Sequence, residues 1–159
     1  MECGSKIDEW IFDEMSLDET SNFIENSLKE NGINPVIARA WHEYWTFHKG
    51  DLEVRYYFSE KNVVTLEVPI CNFPKENIQW VLEYMLNYPS EFYTLWLNEN
   101  IIYYVYNFSS TDLRVSEEGK KRTFTRICDF FESIEEVAWV LIKQFWCELT
   151  HYSKSKHNE

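Results

Sequence analysis

Residues Leu52 to Ile70 read LEVRYYFSEKNVVTLEVPI, and this stretch decides the fold. Leu52, Val54, Tyr56 and Phe58 alternate with Glu53, Arg55, Tyr57 and Ser59, the period of a strand with one buried and one open face. Glu60-Lys61-Asn62 has the composition of a hairpin loop. Val64, Leu66, Val68 and Ile70 then share a face opposite Thr65 and Glu67, so the chain returns antiparallel. Upstream, Gly50-Asp51 is a turn, and Val36 to Phe47 is rich in β-formers apart from Ala38-Arg39-Ala40. Three meandering strands are the simplest account.

Helical periods flank this core. Ser16 stands three residues before Glu19, the spacing of a capping box, and Leu17, Phe23, Ile24 and Leu28 form one apolar face that ends at Asn31-Gly32. Downstream, Phe73-Pro74-Lys75-Glu76 is expected to open a second helix. Its apolar face is Ile78, Val81, Leu82, Met85 and Leu86, with Trp80, Tyr84 and Tyr88 on its flank and Pro89 ending it. Phe92 to Leu97 and Ile101 to Phe108 are two more strands around Asn98-Glu99-Asn100. Ser109 to Lys121 is polar and holds Gly119, a loop, and a last helix is expected from about Thr123 to Leu149. The fold class is therefore α+β: an antiparallel sheet of about five strands packed with helices, in the order α-β-β-β-α-β-β-α. Residues 1–15 form an acidic arm with Trp10-Ile11-Phe12 at its centre, 16–149 a single domain, and 150–159 a polar tail.

Composition narrows the function. The 159 residues carry 15 Lys and Arg against 27 Asp and Glu, a net charge of −12, which disfavours a phosphate-backbone binder and favours a basic partner. Aromatic residues make up 18%, and only four glycines are present, so the phosphate-cradling patterns GxGxxG and GxxxxGK are both missing. No basic-then-apolar leader opens the sequence, residue 2 is Glu rather than Gly, and no apolar run reaches the length of a membrane span. Cys3, Cys71, Cys128 and Cys147 are scattered without a CxxC pair, as expected of reduced thiols. A cytoplasmic protein without membrane contact is expected.

Catalytic and metal chemistry find little support. His42 and His48 are six apart, and Cys147 and His151 four apart, too few ligands for a zinc site. Cys71 precedes the second helix, whose N-terminus would favour a thiolate; as a strand-end residue it is far more readily read as a small buried apolar group. Glu117-Glu118 and Glu135-Glu136 are adjacent acids of the kind that mark solvated surface. No cofactor, metal or catalytic residue is assigned.

The last helix carries two apolar strips. Ile127, Phe130, Phe131, Ile134, Val137, Ala138, Leu141, Phe145 and Leu149 suffice to cover a sheet. Phe124, Cys128, Trp139, Ile142 and Trp146 form a second strip, which either meets another helix of the chain or faces a partner.

The element order over residues 16–149 resembles the type III secretion chaperone-like fold, shared by acidic secretion chaperones and YbjN-like sensory-transduction regulators. The likeness is carried by Val64-Thr65-Leu66-Glu67-Val68-Pro69-Ile70 running into Cys71-Asn72-Phe73-Pro74, by Val81-Leu82-Glu83-Tyr84-Met85-Leu86-Asn87, by Asn98-Glu99-Asn100-Ile101-Ile102-Tyr103, and by the closing helix with Ala138-Trp139. The resemblance implies a non-enzymatic protein-binding module, commonly a homodimer, that receives an extended client over its sheet and helices. The aromatic surplus and the acidic arm depart from the pattern. On this reading the partner-binding residues are Trp41, Trp45, Tyr57, Tyr93, Trp139, Ile142 and Trp146, and the dimer contacts Trp80, Tyr84 and Tyr88. Trp41, Trp45, Tyr57 and Tyr93 belong to that surface only if they face outward; facing the helices, they are core. The alternative is a small enzyme or ligand-binding protein with an aromatic-lined pocket on the sheet.

Overall fold

The computed structural model describes residues 18–41 and 43–148. Ser16, Leu17, His42, Leu149 and His151, and with them the capping box, the arm and the tail, lie outside the described residues.

Helix α1 is described over residues 18–30. It ends as its sequence dictates: Gly32 takes a φ of 76°, Ile33 N–H donates to Leu28 O at 2.8 Å and Gly32 N–H to Lys29 O at 3.0 Å. The segment expected as one strand from Val36 is divided. Asn34 caps a single helical turn, α2 (Pro35–Ala38), by accepting from Val36 N–H. Strand β1 (Arg39–Trp41) follows, and then β2 (Tyr44–Lys49). This division gives the sheet six strands rather than about five.

Strands β3 (Leu52–Glu60) and β4 (Val63–Asn72) form the expected hairpin, with Asn62 at a φ of 67° in its loop. Helix α3 (Ile78–Leu86) begins later than expected, because Pro74 lies in the connection and Asn77 is its N-cap. Strands β5 (Tyr93–Asn98) and β6 (Ile101–Ser109) pair across Glu99 and Asn100, both at positive φ (49° and 66°), a two-residue turn matched to strand twist.

The expected loop from Ser109 to Lys121 is helical. Ser109 caps α4 (Ser110–Val115), and Ser116 caps α5 (Glu117–Trp139) by accepting from Gly119 N–H. Gly119 is not a loop residue: its Cα lies so near the Asp112 carbonyl that a Cβ would collide with it. The last helix therefore starts at Glu117, and it passes into a π-helical turn, Val140–Gln144, instead of running regularly to Leu149.

The sheet is antiparallel throughout, in the order β1-β2-β3-β4-β6-β5. Its helices gather on one face. There α5 sets Phe130 flat on Tyr104 (4.5 Å, 6°) and Phe131 against Phe47 and Tyr56, α1 brings Phe23 to Phe108, and the segment after α3 brings Tyr88 to Tyr104. Trp45, Val54, Tyr56, Leu66, Val68, Ile70, Ile102 and Tyr104 are fully buried beneath them. This is the core, and its face follows the alternation that defined the strands.

Candidate functional site

The opposite face of the sheet carries the polar partners of that alternation. Directly paired residues of an antiparallel sheet point to the same side. Trp41 pairs with Tyr44, Tyr44 with Tyr57, Tyr57 with Thr65, and Thr65 with Asn107, so these five form one row across the open face. An irregularity in β1 between Arg39 and Trp41 brings Trp41 opposite Tyr44. The Trp41 and Tyr44 rings meet edge to face (6.1 Å, 86°), and Tyr44 lies nearly parallel to Tyr57 (6.0 Å, 23°).

Beside this row, Arg55 is bound by two carboxylates, Glu53 at 2.6 Å and Glu67 at 3.3 Å. Burial alone would lower the Arg55 pKa, but its hydrogen bond to Glu53 and the surrounding negative charge raise it instead, so the guanidinium stays charged. Tyr57 OH donates to Glu67 at 2.9 Å; burial first and the Glu67 charge second push its phenol well above the ordinary tyrosine range. Trp41, Glu43, Tyr44, Tyr57 and Phe58 enclose a shallow notch of about 450 Å³ at the β1 end of this face.

A second apolar surface lies at the other end. On α3, Val81 is buried and Tyr84 and Met85 pack on the core, as does Tyr88 just past its C-terminus. Ile78, Trp80, Leu82 and Leu86 point away from it, Leu86 with 84% of its surface exposed. The flank and the core-facing strip expected for this helix are thus exchanged in part: Tyr84 packs on Phe145, and Tyr88 shares a 2.8 Å hydrogen bond with the Tyr104 hydroxyl. On β5, an edge strand, Trp96 and Leu97 are exposed.

Of the anticipated partner-binding residues, Trp41, Trp139 and Trp146 are exposed and Tyr57 is half-buried on the open face. Trp45 is core: it is fully buried, pairs with Tyr56 and lies 5.2 Å from the Arg39 guanidinium. Tyr93 faces the helices, 5.4 Å from Phe130, and donates to Arg126 O at 2.6 Å. Ile142 is half-buried against the core. Trp80 is exposed, whereas Tyr84 and Tyr88 are largely occupied within the chain. The residues not anticipated are Tyr44 and Trp96. Their signal was parity, since each neighbours a residue of the buried face (Trp45 and Leu95) and so must point the other way.

Cys71 is not a helix-start thiolate. It lies inside β4, fully buried, and α3 begins only at Ile78. Its hydrogen bond with Cys147 and its burial push the thiol well above its usual range. The Asn72 N–H donates to Glu148 O at 2.8 Å, holding the C-terminal segment on the end of β4 beside a cleft of about 860 Å³ that Phe73, Asn77, Asn100 and Trp146 help to line. Among the described residues no group of three His, Cys, Asp or Glu could hold a metal ion, and no helix is long and apolar enough to cross a membrane.

No family model and no curated protein matches the chain. Among solved structures, a chain of the HopA1–SchA chaperone–effector complex is similar, with 12% identity, a TM-score of 0.47, and coverage of 70% of this chain and 94% of that one.

Proposed function

We propose that this protein is a non-enzymatic binding module for another polypeptide, a chaperone or adaptor that holds its client in extended form, or a YbjN-like regulator using the same surfaces. One observation carries the proposal. Of the seven tryptophans, Trp41, Trp80, Trp96, Trp139 and Trp146 keep 71%, 60%, 49%, 54% and 79% of their surface exposed. Exposed tryptophan is expensive in water and is the residue type most enriched at the centres of protein interfaces. The edge of β5, unpaired among the described residues, adds backbone groups to which an extended client can bond. The net charge of −12 favours a basic client in the cytoplasm.

Affinity capture from native lysate, run with the unaltered chain and with a Trp80→Ala/Trp96→Ala/Trp139→Ala variant, tests the proposal. A polypeptide retained by the first and lost by the second is expected. Repeated recovery of nothing, or of the same proteins by both, refutes it. A homodimer formed through Trp80 and the exposed face of α3 belongs to the same proposal. Sedimentation at low micromolar concentration should show it, and Leu86→Glu should abolish it. The cleft beside Phe73 and Trp146 favours a second reading, a small-ligand site, because its volume suits one. A saturable thermal shift with a small molecule, lost in Asn100→Ala, would move the assignment there.

A further inference from the structure

We propose that the notch at the β1 end of the open sheet face is a receptor for an arginine side chain of a basic polypeptide, with Tyr44 and Tyr57 as the stacking platform, Trp41 as the wall and Glu43 as the counter-charge. This rests on the reading of the protein as a polypeptide-binding module and names the chemistry that one of its surfaces selects.

Three observations converge. First, the aromatic geometry is that of a cation receptor. Tyr44 and Tyr57 present nearly parallel rings, 23° apart, and Trp41 meets Tyr44 edge to face at 86°. A flat guanidinium can lie along one ring while its edge meets another, and tryptophan offers the strongest face for a cation. Second, the rings are held in place. Tyr57 is tied to Glu67 through its hydroxyl, and Tyr44 is set opposite it by the strand register. The rigid rings therefore lose little freedom on binding.

Third, the charge is of the right sign. Around the row stand the carboxylates of Glu43, Glu53 and Glu67 against one guanidinium, Arg55. Arg55 is already bound by two of these carboxylates, Glu53 and Glu67. Arg39, the other nearby cation on β1, reaches the helix face, where it pairs with Glu25 at 3.1 Å and lies over Trp45. An apolar client side chain would leave Glu43 without any gain in charge complementarity. A lysine would make only a point contact where the flat platform rewards a planar ion.

The test uses the full chain, labelled with ¹⁵N at its indoles, and three short extended peptides identical except at one position: arginine, lysine, or citrulline, which keeps the shape and loses the charge. The arginine peptide should shift the Trp41 indole signal saturably, and the citrulline peptide should bind about tenfold more weakly. Trp41→Ala should weaken the arginine peptide by about tenfold and Glu43→Gln by about threefold. Trp41 is largely exposed and Glu43 lies at the surface, so neither substitution opens the core. Equal affinity for arginine and citrulline peptides overturns the proposal, and so does lysine binding as tightly as arginine. Arginine-peptide binding unchanged by Trp41→Ala also overturns it, while leaving polypeptide binding elsewhere on the protein intact. A Trp41 signal unmoved by every peptide overturns it as well, and lysate capture then judges the broader function by itself.

Discussion

Tyr56 and Tyr104 offer one substitution with two opposite expected outcomes. Both are fully buried on the helix-covered face of the sheet, and both lose only a hydroxyl on replacement by phenylalanine. The Tyr104 hydroxyl is bonded at 2.8 Å to that of Tyr88 and at 2.8 Å to Ser133 Oγ. The Tyr56 hydroxyl has no partner among the described residues, and burial pushes its pKa well above the ordinary tyrosine value. Removing a satisfied buried hydroxyl forfeits about 0.5–1.5 kcal/mol per hydrogen bond, while an unsatisfied one costs the fold about 1–3 kcal/mol that its removal returns. Tyr88 is half-buried and can turn to water, and Ser133 Oγ keeps its 3.0 Å bond to Phe130 O, so the loss at Tyr104 stays near the lower end. Tyr104→Phe should therefore destabilise by about 1–1.5 kcal/mol and Tyr56→Phe stabilise by about 1 kcal/mol, a gap of about 2 kcal/mol. Urea unfolding followed by far-UV circular dichroism measures both, provided the slope stays constant, so that the midpoint alone reports stability. In a chain of this size the gap corresponds to roughly 4–8 °C in Tm. Two shifts of the same sign would refute the assignment of hydrogen bonds in this core.

Gly119→Ala should destabilise by about 1–3 kcal/mol, because the new methyl meets the Asp112 backbone at the α4–α5 contact, where no side chain can give way; a midpoint unchanged in urea would refute that close approach. Glu99→Asn with Asn100→Gly should stabilise by about 0.5–1 kcal/mol, since both positions have positive φ and the turn between β5 and β6 favours that pair. Alkali should unfold the protein steeply. Folding holds the phenols of Tyr56 and Tyr104 protonated by burial and raises that of Tyr84 to about 12, so the unfolded state loses protons first and stability falls as pH rises through about 10. Once their unfolded counterparts are ionised, Tyr56 and Tyr104 each contribute about 1.4 kcal/mol per pH unit, and stability constant from pH 9 to 11 would contradict this.

The sheet was legible because its alternation is strict. Leu52 to Ile70 assigned faces to two strands, and Asn98-Glu99-Asn100 located the turn between the last two. What could not be read had a physical cause in each case. In Val36–Phe47, Asn34-Pro35 starts a helical turn by side-chain capping, a signal of two residues hidden inside a β-rich run. Gly119 looked like a loop marker because close approach of two helices and a turn both select glycine. The middle helix is apolar around most of its girth, so periodicity could not say which strip would be buried. The choice went to Tyr84 and Tyr88, whose hydroxyl and ring contacts with Tyr104 and Phe145 the exposed Ile78, Leu82 and Leu86 have no atoms to make.

The candidate site was the least legible part, and for the most local of reasons. Trp45 and Tyr44 are neighbours in sequence, yet parity sends one into the core and the other onto the open face, while the irregularity in β1 places Trp41 beside Tyr44. A slip of one residue would exchange them. Had it done so, the notch would hold Trp45 and lose the Tyr44–Tyr57 pair, and Tyr44 would replace Trp45 beneath α1 and α5. That alternative also buries a large ring, so hydrophobicity alone does not reject it. A contact that exists only in the observed register does: the Arg39 guanidinium over Trp45, fixed from α1 by Glu25. Charged side chains on the helix face thus select which of the two neighbouring rings this protein hides and which it displays.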